Sequence, residues 1–284
     1  MIHQPIVVTP LSSALGAEIT GVDLSQPLDN RTAEAVHRAF LDHQVIFFRD
    51  QDITPDQHKD FARRFGPLNV HPYVKALDGH PEILEVLKNT GDSRNFGGLW
   101  HIDLTFMEEP PLGSMLYAKE VPGAGGDTLW ASMYLAYERL SDGMKNLLDG
   151  LVGVHSAGPV YGPREKTADR AVGTIMKLDQ TEDALSEVEH PIVRTHPETG
   201  RKCLFLSGGS YLRRFKDMTE DESAPLIGYL NDFAVTPELT CRFRWQPGSF
   251  AFWDNRCTQH YALNDYHGER RLMHRVSIDG DRPV

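Results

Sequence analysis

Two short segments, far apart in the chain, carry residues that could bind one metal ion together. The segment Leu99-Trp-His-Ile-Asp-Leu-Thr-Phe106 contains His101 and Asp103, two positions apart. On an extended strand, residues two apart point to the same face, so an imidazole and a carboxylate could reach one ion from one side. A distant histidine would complete a set of two histidines and one carboxylate, which leaves open coordination positions on Fe(II).

His260 is the candidate for the third ligand, because it follows a strand-like run in Trp253-Asp-Asn-Arg-Cys-Thr-Gln-His260. The pair of His101 and Asp103 is weak evidence by itself, since a chain with 13 histidines and 40 acidic residues contains such pairs by chance. The metal hypothesis therefore depends on the residues that accompany this pair.

Two arginines accompany it on one predicted strand. Within Arg270–Ile278, Arg271, Met273 and Arg275 share a face, and the two arginines are roughly 13 Å apart along the strand. Guanidinium groups that face a protein interior are costly unless they are paired. Because the guanidinium fork binds carboxylates and other anions in a bidentate manner, the pattern predicts anionic ligands at both arginines.

The bulk composition narrows the class of protein. The 284 residues carry a net charge of −11, which argues against a nucleic-acid partner, because such a partner needs clustered Lys and Arg. The three cysteines form no C-x-x-C pair, so neither a disulfide framework nor a zinc ribbon is indicated. With no signal-peptide pattern and no apolar run of membrane-spanning length, we interpret the chain as a cytoplasmic protein without a membrane partner.

The elements that must position these residues are mostly short strands. Helices are predicted at two capping boxes, Thr54–Gln57 and Thr219–Glu222, and over Thr32–His43 and Met133–Leu148. Strand-like runs, separated by turn residues, make up the rest of the prediction: Val45–Phe48, Gly113–Val121, Thr128–Ala131, Leu151–Ser156, Pro191–Thr195, Lys202–Leu206, Thr240–Trp245, Ser249–Trp253 and Arg270–Ile278. Many short strands with few peripheral helices predict a mainly β fold, a sandwich or a barrel.

The chain shows no repeat and no linker, which predicts a single domain over residues 1–284. Residues 157–190 have little hydrophobic period and many charges. Because long irregular segments between strands are often functional, we predict an active-site lid there. A surface insertion without a role is the alternative.

Four blocks of sequence carry a family resemblance: WHIDLTF, GGDTLW, WDNRCTQH and RRLMHR. Together with matching stretches over nearly the whole chain, they resemble the taurine dioxygenase family of Fe(II)- and 2-oxoglutarate-dependent dioxygenases. That group also contains alkylsulfatases and aryloxyalkanoate dioxygenases. The resemblance implies a double-stranded β-helix, or jelly roll, which agrees with the prediction of a mainly β fold.

The resemblance also implies roles for individual residues. His101, Asp103 and His260 match the iron ligands of the family and would be its catalytic centre, with 2-oxoglutarate and O₂ as co-substrates. Arg271 and Thr128 match the pair that holds the distal carboxylate of 2-oxoglutarate.

At the substrate end, Arg275 and His71 match the residues that hold the sulfonate of taurine, and Phe106 could border the pocket. Val74, Gly97, Val160 and Tyr161 depart from the family pattern where taurine dioxygenases bind the amine of taurine. We therefore expect a small anion-headed organic substrate, a taurine-like sulfonate or related organosulfur compound, with a less polar body than that of taurine.

The sequence alone leaves other functions open. An aryloxyalkanoate or alkyl sulfate ester dioxygenase would cleave a C–O bond by hydroxylation. A jelly-roll binding protein without catalysis would lack a ligand or Arg271, and a zinc hydrolase would not need Arg271 and Thr128 at a second anion subsite. A homo-oligomer is compatible with the sequence.

Overall fold

The helices of the protein lie mostly outside its sheets. A computed structural model of the chain describes residues 6–163, 181–207 and 209–284. Two 3₁₀ helices cover Glu182–Leu185 and Pro237–Leu239. The described α-helices are α1 (Asn30–His43), α2 (Pro55–Ala62), α3 (Met133–Glu138), α4 (Asp142–Leu148), α5 (Gly158–Tyr161) and α6 (Glu220–Ala234).

The helix starts follow the predicted caps. Both capping boxes form, since the Thr54 side chain accepts a hydrogen bond from the Gln57 backbone and Thr219 does the same for Glu222. The helical pattern over Met133–Leu148, which the sequence interrupts at Ser141-Asp-Gly143, forms two helices, because Ser141 caps a new start at α4.

Short strands form most of the remaining structure. The first ten are β1 (Val7–Pro10), β2 (Ala17–Thr20), β3 (Val45–Phe48), β4 (Leu68–Asn69), β5 (Ala76–Leu77), β6 (His80–Lys88), β7 (Gly113–Glu120), β8 (Thr128–Ser132), β9 (Val152–Ser156) and β10 (Glu187–Pro191). The others are β11 (Val193–Thr195), β12 (Lys202–Leu204), β13 (Leu212–Phe215), β14 (Thr240–Phe243), β15 (Phe250–Asp254), β16 (Thr258–Ala262) and β17 (Arg271–Ile278). The prediction of a mainly β protein with peripheral helices is confirmed.

Two sheets face each other and enclose the interior of the molecule. A nine-stranded sheet runs in the order β1-β2-β3-β15-β7-β17-β6-β5, with β4 paired to β17, and a three-stranded sheet runs β14-β8-β16. The core between them takes side chains from both sheets: Val45, Phe47, Leu116, Ala118, Trp130, Cys241, Phe243, Ala251, Trp253 and Met273. Arg271 and Arg275 lie on the same strand, β17, in register with β6 and β7.

The outer face of the large sheet is buried as well. Ile46 and Phe48 of β3 point away from the interior and pack against α1 and α2 through residues such as Phe40 and Phe61. This explains why Val45–Phe48 is an unbroken apolar run rather than an alternating one, since strands covered on both faces lose the alternation.

The segment 157–190 is described only at its ends. Its first residues form α5, and its last ones form a 3₁₀ helix and most of β10, so the irregular stretch ends before Glu187 rather than at 190. Residues 164–180 lie outside the described residues. The lid and the single domain over 1–284 stay predictions.

Within the described residues, no helix is both long enough and apolar enough to cross a membrane.

Candidate active site

The structure brings the three expected metal ligands together. Oδ1 of Asp103 lies 3.7 Å from Nε2 of His101 and 3.9 Å from Nε2 of His260. All three ligand atoms lie within 4.8 Å of one another, and all three residues are buried. Two imidazoles and a carboxylate at this spacing are a donor set that suits Fe(II).

Backbone pairing holds the two histidines side by side. The His101 N–H donates to the His260 carbonyl over 3.1 Å, and the His260 N–H donates back over 2.9 Å. His260 lies inside β16, which the sequence did not predict, rather than after a strand end.

Asp103 is not on the extended strand that the sequence argument assumed. It begins a turn in which Leu104 has a positive φ of 53°. This left-handed residue turns the chain directly after the ligand, while His101 stays paired to β16. The carboxylate therefore reaches the histidines from a turn rather than from one face of a strand.

Asn255 holds the backbone of this turn and was missed by sequence reasoning. Its side-chain oxygen accepts from the Asp103 N–H over 2.8 Å, and its amide group donates to the carbonyls of Asp103 and Pro111 over 3.0 and 3.1 Å. The position of Asn255 is itself fixed by buried neighbours, since Arg256 donates to both carboxylate oxygens of Asp254. Only its place in the WDNR block could have pointed to it.

The protonation states suit metal binding. Nδ1 of His101 lies 2.7 Å from the Leu99 carbonyl and donates to it, which leaves the Nε2 lone pair free for an ion. Burial lowers the pKa of His101 and of His260, so both rings are neutral near pH 7. Although burial raises it, the charge of Arg275 and the hydrogen bond from Ser114 hold the pKa of Asp103 well below its usual range.

A second buried cluster is occupied by its own ion pairs. His196, Asp254 and Cys257 also lie close enough to hold a metal ion. However, Asp254 is already paired with Arg256 at 2.9 and 2.7 Å and with His196 at 3.0 Å. A metal would have to displace the arginine, so this cluster is better explained as a structural network.

An inner cavity lies beside the triad and contains Arg271. It is lined by His101 and His260 together with Thr128, Trp130, Trp253, Arg271 and Arg275. Nε and Nη2 of Arg271 are buried and have no hydrogen-bond partner among the described residues. Such unpaired donors cost free energy unless a ligand satisfies them. The carboxylate of 2-oxoglutarate has the chemistry that fits.

Thr128 is prepared to donate into the same cavity. The Trp245 indole N–H donates to Thr128 Oγ1 over 2.9 Å. The threonine oxygen accepts this bond, and no described residue accepts its own hydrogen, which can therefore be donated to a ligand. Trp245 was not identified from the sequence, because a tryptophan beside a strand predicts core packing as readily as a polar contact.

Arg275 lies between the metal ligands and the expected substrate residues. Its Nη1 donates to Asp103 Oδ1 over 2.9 Å, while its Nε has no partner within the described part of the chain. Ser114, also missed, donates to the other oxygen of Asp103 over 3.1 Å. His71 is buried and lies 3.4 Å from the Tyr161 hydroxyl, measured from Nε2.

A larger outer cavity of about 410 Å³ opens on the other side of His101. Gly97, Val160 and Tyr161 line it, together with Tyr211, which sequence reasoning missed. Gly97 has a φ of +77°, and a Cβ atom there would lie 3.3 Å from Cε1 of His101. The absence of a side chain at 97 therefore keeps the space next to the metal ligand open.

Three expected pocket residues, His71, Val74 and Phe106, line neither of the two cavities. Val74 and Phe106 are buried in an apolar cluster with Tyr161 and Tyr211. The Phe106 ring is 5.9 Å from that of Tyr161 and 5.0 Å from that of Tyr211. Direct contact of Val74 and Phe106 with a substrate stays a prediction, and their observed role is to pack the wall.

Known proteins are similar to this chain in sequence, and solved structures are similar to it in fold. An alkylsulfatase from Acinetobacter baylyi is 38% identical over 280 residues, covering 98% of this chain and 86% of that protein. An alpha-ketoglutarate-dependent sulfate ester dioxygenase from Pseudomonas putida is 38% identical over 282 residues, with 98% and 90% covered. The crystal structure of a taurine dioxygenase from Burkholderia xenovorans matches with a TM-score of 0.81 at 37% identity, covering 99% of this chain and 93% of that one.

The likeness to that crystal structure confirms the jelly-roll fold expected from the resemblance. The family model for taurine catabolism dioxygenase TauD, TfdA family, matches residues 8–277, which include all three candidate ligands and both arginines. The chain therefore belongs to the TauD, TfdA family of dioxygenases.

Proposed function

We propose that this protein hydroxylates an organosulfur anion with an apolar body, at a carbon next to the headgroup. It is a 2-oxoglutarate-dependent dioxygenase and hence an oxidoreductase, as the names of its relatives indicate. His101, Asp103 and His260 would hold Fe(II), and Arg271 with Thr128 would hold the distal carboxylate of 2-oxoglutarate. When bound, iron and 2-oxoglutarate supply the activation of O₂, with succinate and CO₂ as co-products.

The residues of the chain orient 2-oxoglutarate and the substrate and exclude water from the site. The unpaired donors of Arg271 and the free hydrogen of Thr128 orient 2-oxoglutarate from one side of the triad. Arg275, which lines the same inner cavity and donates to Asp103, holds the anionic headgroup and thereby fixes which carbon faces the metal. Because the apolar core between the sheets surrounds the site, it excludes water and strengthens these charge-assisted contacts.

One observation carries the choice of an anionic substrate. Arg275 is buried, lies next to an iron ligand, and keeps an unpaired Nε that points to no described acceptor. A buried guanidinium with a free donor is unfavourable until an anion arrives. An anion bound there is within reach of the metal, as the chemistry requires.

The lining of the outer cavity supports the expectation that taurine itself fits poorly. Among the described residues, its lining contains one arginine, Arg94, and no aspartate or glutamate. An ammonium group buried there would lack a counter-charge, which is costly. An alkyl or aryl body would instead contact Phe96, Tyr161 and Tyr211, and gain from burial of apolar surface.

The products follow from the position of the hydroxyl group. Hydroxylation of the carbon that bears a sulfate ester gives R–CH(OH)–OSO₃⁻, which breaks its C–O bond to an aldehyde and hydrogen sulfate. The same step on a sulfonate gives R–CH(OH)–SO₃⁻, which breaks its C–S bond to an aldehyde and bisulfite. In each case one oxygen atom of O₂ enters the substrate and the other enters succinate.

A second candidate is an aryloxyalkanoate, which would release a phenol. The aromatic lining of the outer cavity favours it, because Phe96, Tyr161, Tyr211 and Tyr261 could stack on an aryl ring. The headgroup would then be a carboxylate at Arg275.

A substrate panel tests the proposal directly. The purified protein with Fe(II) and 2-oxoglutarate would be given hexyl sulfate, hexane-1-sulfonate, a phenoxy acid and taurine, and succinate formation would be followed with product identification. We expect kcat/KM for one of the first two to exceed that for taurine, with sulfate or sulfite released. A wide lead for taurine would contradict our interpretation of the outer cavity, and a lead for the phenoxy acid would favour the second candidate.

A further inference from the structure

Three polar groups converge on Arg275 without being explained by the metal or by 2-oxoglutarate. They are the His71 ring and the hydroxyls of Tyr161 and Tyr211, and all three residues are buried. The charge of Arg275 acts on the pKa of each of them. His71 Nε2 lies 3.4 Å from the Tyr161 hydroxyl, and Tyr161 and Tyr211 lie in one buried cluster and line the same outer cavity.

The direction of the bond from His71 can be assigned. Its Nδ1 accepts the backbone N–H of Tyr73 over 3.0 Å, so Nδ1 carries no proton. Burial and the charge of Arg275 lower the pKa of His71 to about 3, so the ring is neutral. Its single proton is therefore on Nε2, and Nε2–H donates to the oxygen of Tyr161.

One polar hydrogen of these three side chains then has no acceptor among them. The chain of His71, Tyr161 and Tyr211 has one N–H and two O–H hydrogens; the N–H donates to Tyr161, and a contact between the two hydroxyls could use only one of their two hydrogens. Burial raises the pKa of Tyr161 to about 12, so its hydroxyl keeps its hydrogen at neutral pH. No described residue accepts the remaining hydrogen. Both tyrosines line the outer cavity, so a ligand in that cavity is the acceptor that would complete the chain.

Arg275 and the tyrosine hydroxyls line two cavities that meet, so that one ligand could contact both. Arg275 lines the inner cavity, the tyrosines line the outer one, and His101 lines both, so the two cavities meet at the ring of a metal ligand. Nη1 of Arg275 is committed to Asp103, which leaves the unpaired Nε and the rest of the guanidinium for a headgroup.

A carboxylate has two oxygens, which a guanidinium can satisfy by itself. A sulfate ester or a sulfonate presents three terminal oxygens and needs a third donor. We propose that the Tyr161 hydroxyl is this third donor, so that the site selects an –SO₃⁻ headgroup over a carboxylate. This inference rests on the proposed function and narrows its substrate class, because it disfavours the aryloxyalkanoate reading.

In this arrangement His71 is a positioning residue. It does not give its hydrogen to the headgroup but to Tyr161, and thereby orients the hydroxyl hydrogen toward the anion. The sequence resemblance had suggested direct contact between His71 and the headgroup. In our proposal that contact belongs to Tyr161, whose oxygen already accepts the His71 hydrogen.

The test compares three substrates with one body: hexyl sulfate, hexane-1-sulfonate and heptanoate. Affinity would be measured by calorimetry on protein loaded with Mn(II) and N-oxalylglycine, which does not turn over, and kcat/KM on the active enzyme. Tyr161→Phe should weaken binding of the –SO₃⁻ substrates by about tenfold or more and change heptanoate by less than about twofold. Released sulfate or sulfite tells the two –SO₃⁻ sources apart.

Two further variants make the assignment specific. Tyr73→Phe removes a hydroxyl from the same ring cluster, since the Tyr73 ring is 5.1 Å from that of Tyr161, and should leave the ratio of –SO₃⁻ to carboxylate affinity unchanged. Tyr211→Phe should lower this ratio less than Tyr161→Phe does. A larger effect of Tyr211→Phe would show that Tyr211 is the donor and overturn the assignment.

The experiment gives different results if this inference is wrong and if the proposed function is wrong. If the unmodified enzyme turns over none of the organosulfur substrates, the proposed function is wrong. If it does turn them over, but Tyr161→Phe loses nothing or loses equally with heptanoate, the function stands and the role of Tyr161 is refuted.

Discussion

Nη1 of Arg275 donates to Oδ1 of Asp103 over 2.9 Å, and Oδ1 is the carboxylate oxygen that faces both ligand histidines. One hydrogen bond thus joins the proposed substrate anion subsite to the proposed iron site. Both side chains are almost fully buried, so the contact is not screened by solvent. A headgroup that binds Arg275 is therefore placed one side chain away from the metal.

Replacement of Arg275 should affect the substrate far more than 2-oxoglutarate. Arg275→Ala leaves a buried anion without its partner, for which we expect a loss of roughly 2–5 kcal/mol in substrate binding. The apparent affinity for 2-oxoglutarate should hardly change, because we propose that Arg271 holds that carboxylate. Arg275→Lys keeps the charge but not the fork and should lose less. Steady-state titration of both ligands checks this, and equal losses for both would contradict it.

Removal of any triad ligand should abolish catalysis without unfolding the protein. His101→Ala, Asp103→Ala and His260→Ala should each eliminate substrate-dependent succinate formation, while circular dichroism stays close to that of the unmodified protein. Full activity in one of the three would refute the assignment of that ligand.

Asn255→Ala provides a finer test of the same site. It leaves all three ligands in place but frees the backbone of Asp103, and outer-shell changes of this kind cost about 10–100-fold in metal affinity. Asn69→Ala removes an exposed side-chain hydrogen bond to Asp279 and serves as the control. Titration with Mn(II), followed by thermal shift, measures both.

Arg271 should govern the requirement for 2-oxoglutarate. Because its unpaired donors are buried, loss of the guanidinium leaves the co-substrate carboxylate unpaired, at a cost of about 3–5 kcal/mol. Arg271→Ala should therefore raise the 2-oxoglutarate concentration needed for half-maximal rate by orders of magnitude. An unchanged requirement would mean that the carboxylate binds elsewhere.

His58 should make the stability of the protein depend on pH. It lies in α2 with 1% of its surface exposed, both ring nitrogens lack a partner among the described residues, and burial lowers its pKa from 6.5 to about 3. Between these two values only the unfolded chain binds the proton at His58. Stability from this residue is therefore complete above pH 6.5 and is lost as the pH falls toward about 3.

Urea unfolding at pH 7.5 and 5.0 would measure that effect. His58→Leu should reduce the acid-induced loss of unfolding free energy by about 2 kcal/mol, since each pH unit below 6.5 contributes about 1.4 kcal/mol. His267→Leu, at an exposed histidine, is the matched control. The same slope in the His58 variant as in the unmodified protein would refute this role.

The sequence predicted which three candidate ligands lie together better than it predicted their local backbone. His101 and Asp103 were paired on the assumption of an extended strand, but a turn with Leu104 at positive φ places the carboxylate instead. The two side chains nevertheless lie close together in the structure. The prediction of their proximity was based on residue types that suit a metal site, and these do not depend on one backbone conformation. β16 was missed because Thr-Gln-His-Tyr-Ala has no apolar alternation, and its strand character comes from pairing with β8.

Other parts of the site depend on contacts that no sequence pattern predicts. Asn255 acts through hydrogen bonds to the backbone of a residue 152 positions away, and such bonds impose no spacing rule. The direction of the hydrogen on His71 depends on a backbone N–H from Tyr73. Val45–Phe48, in contrast, was easy to predict, because burial on both faces makes the strand an apolar run.

The reciprocal backbone bonds between His101 and His260 make these two amide hydrogens natural reporters of the metal. Each can exchange with deuterated solvent only when the pairing of residue 101 with β16 opens, and an ion bound to both rings resists that opening. An ion present at 100 times its dissociation constant stabilises the closed form by about 2.7 kcal/mol, which slows exchange by about a hundredfold. Loading of the site could therefore be read from deuterium uptake at two positions, with neither substrate nor turnover.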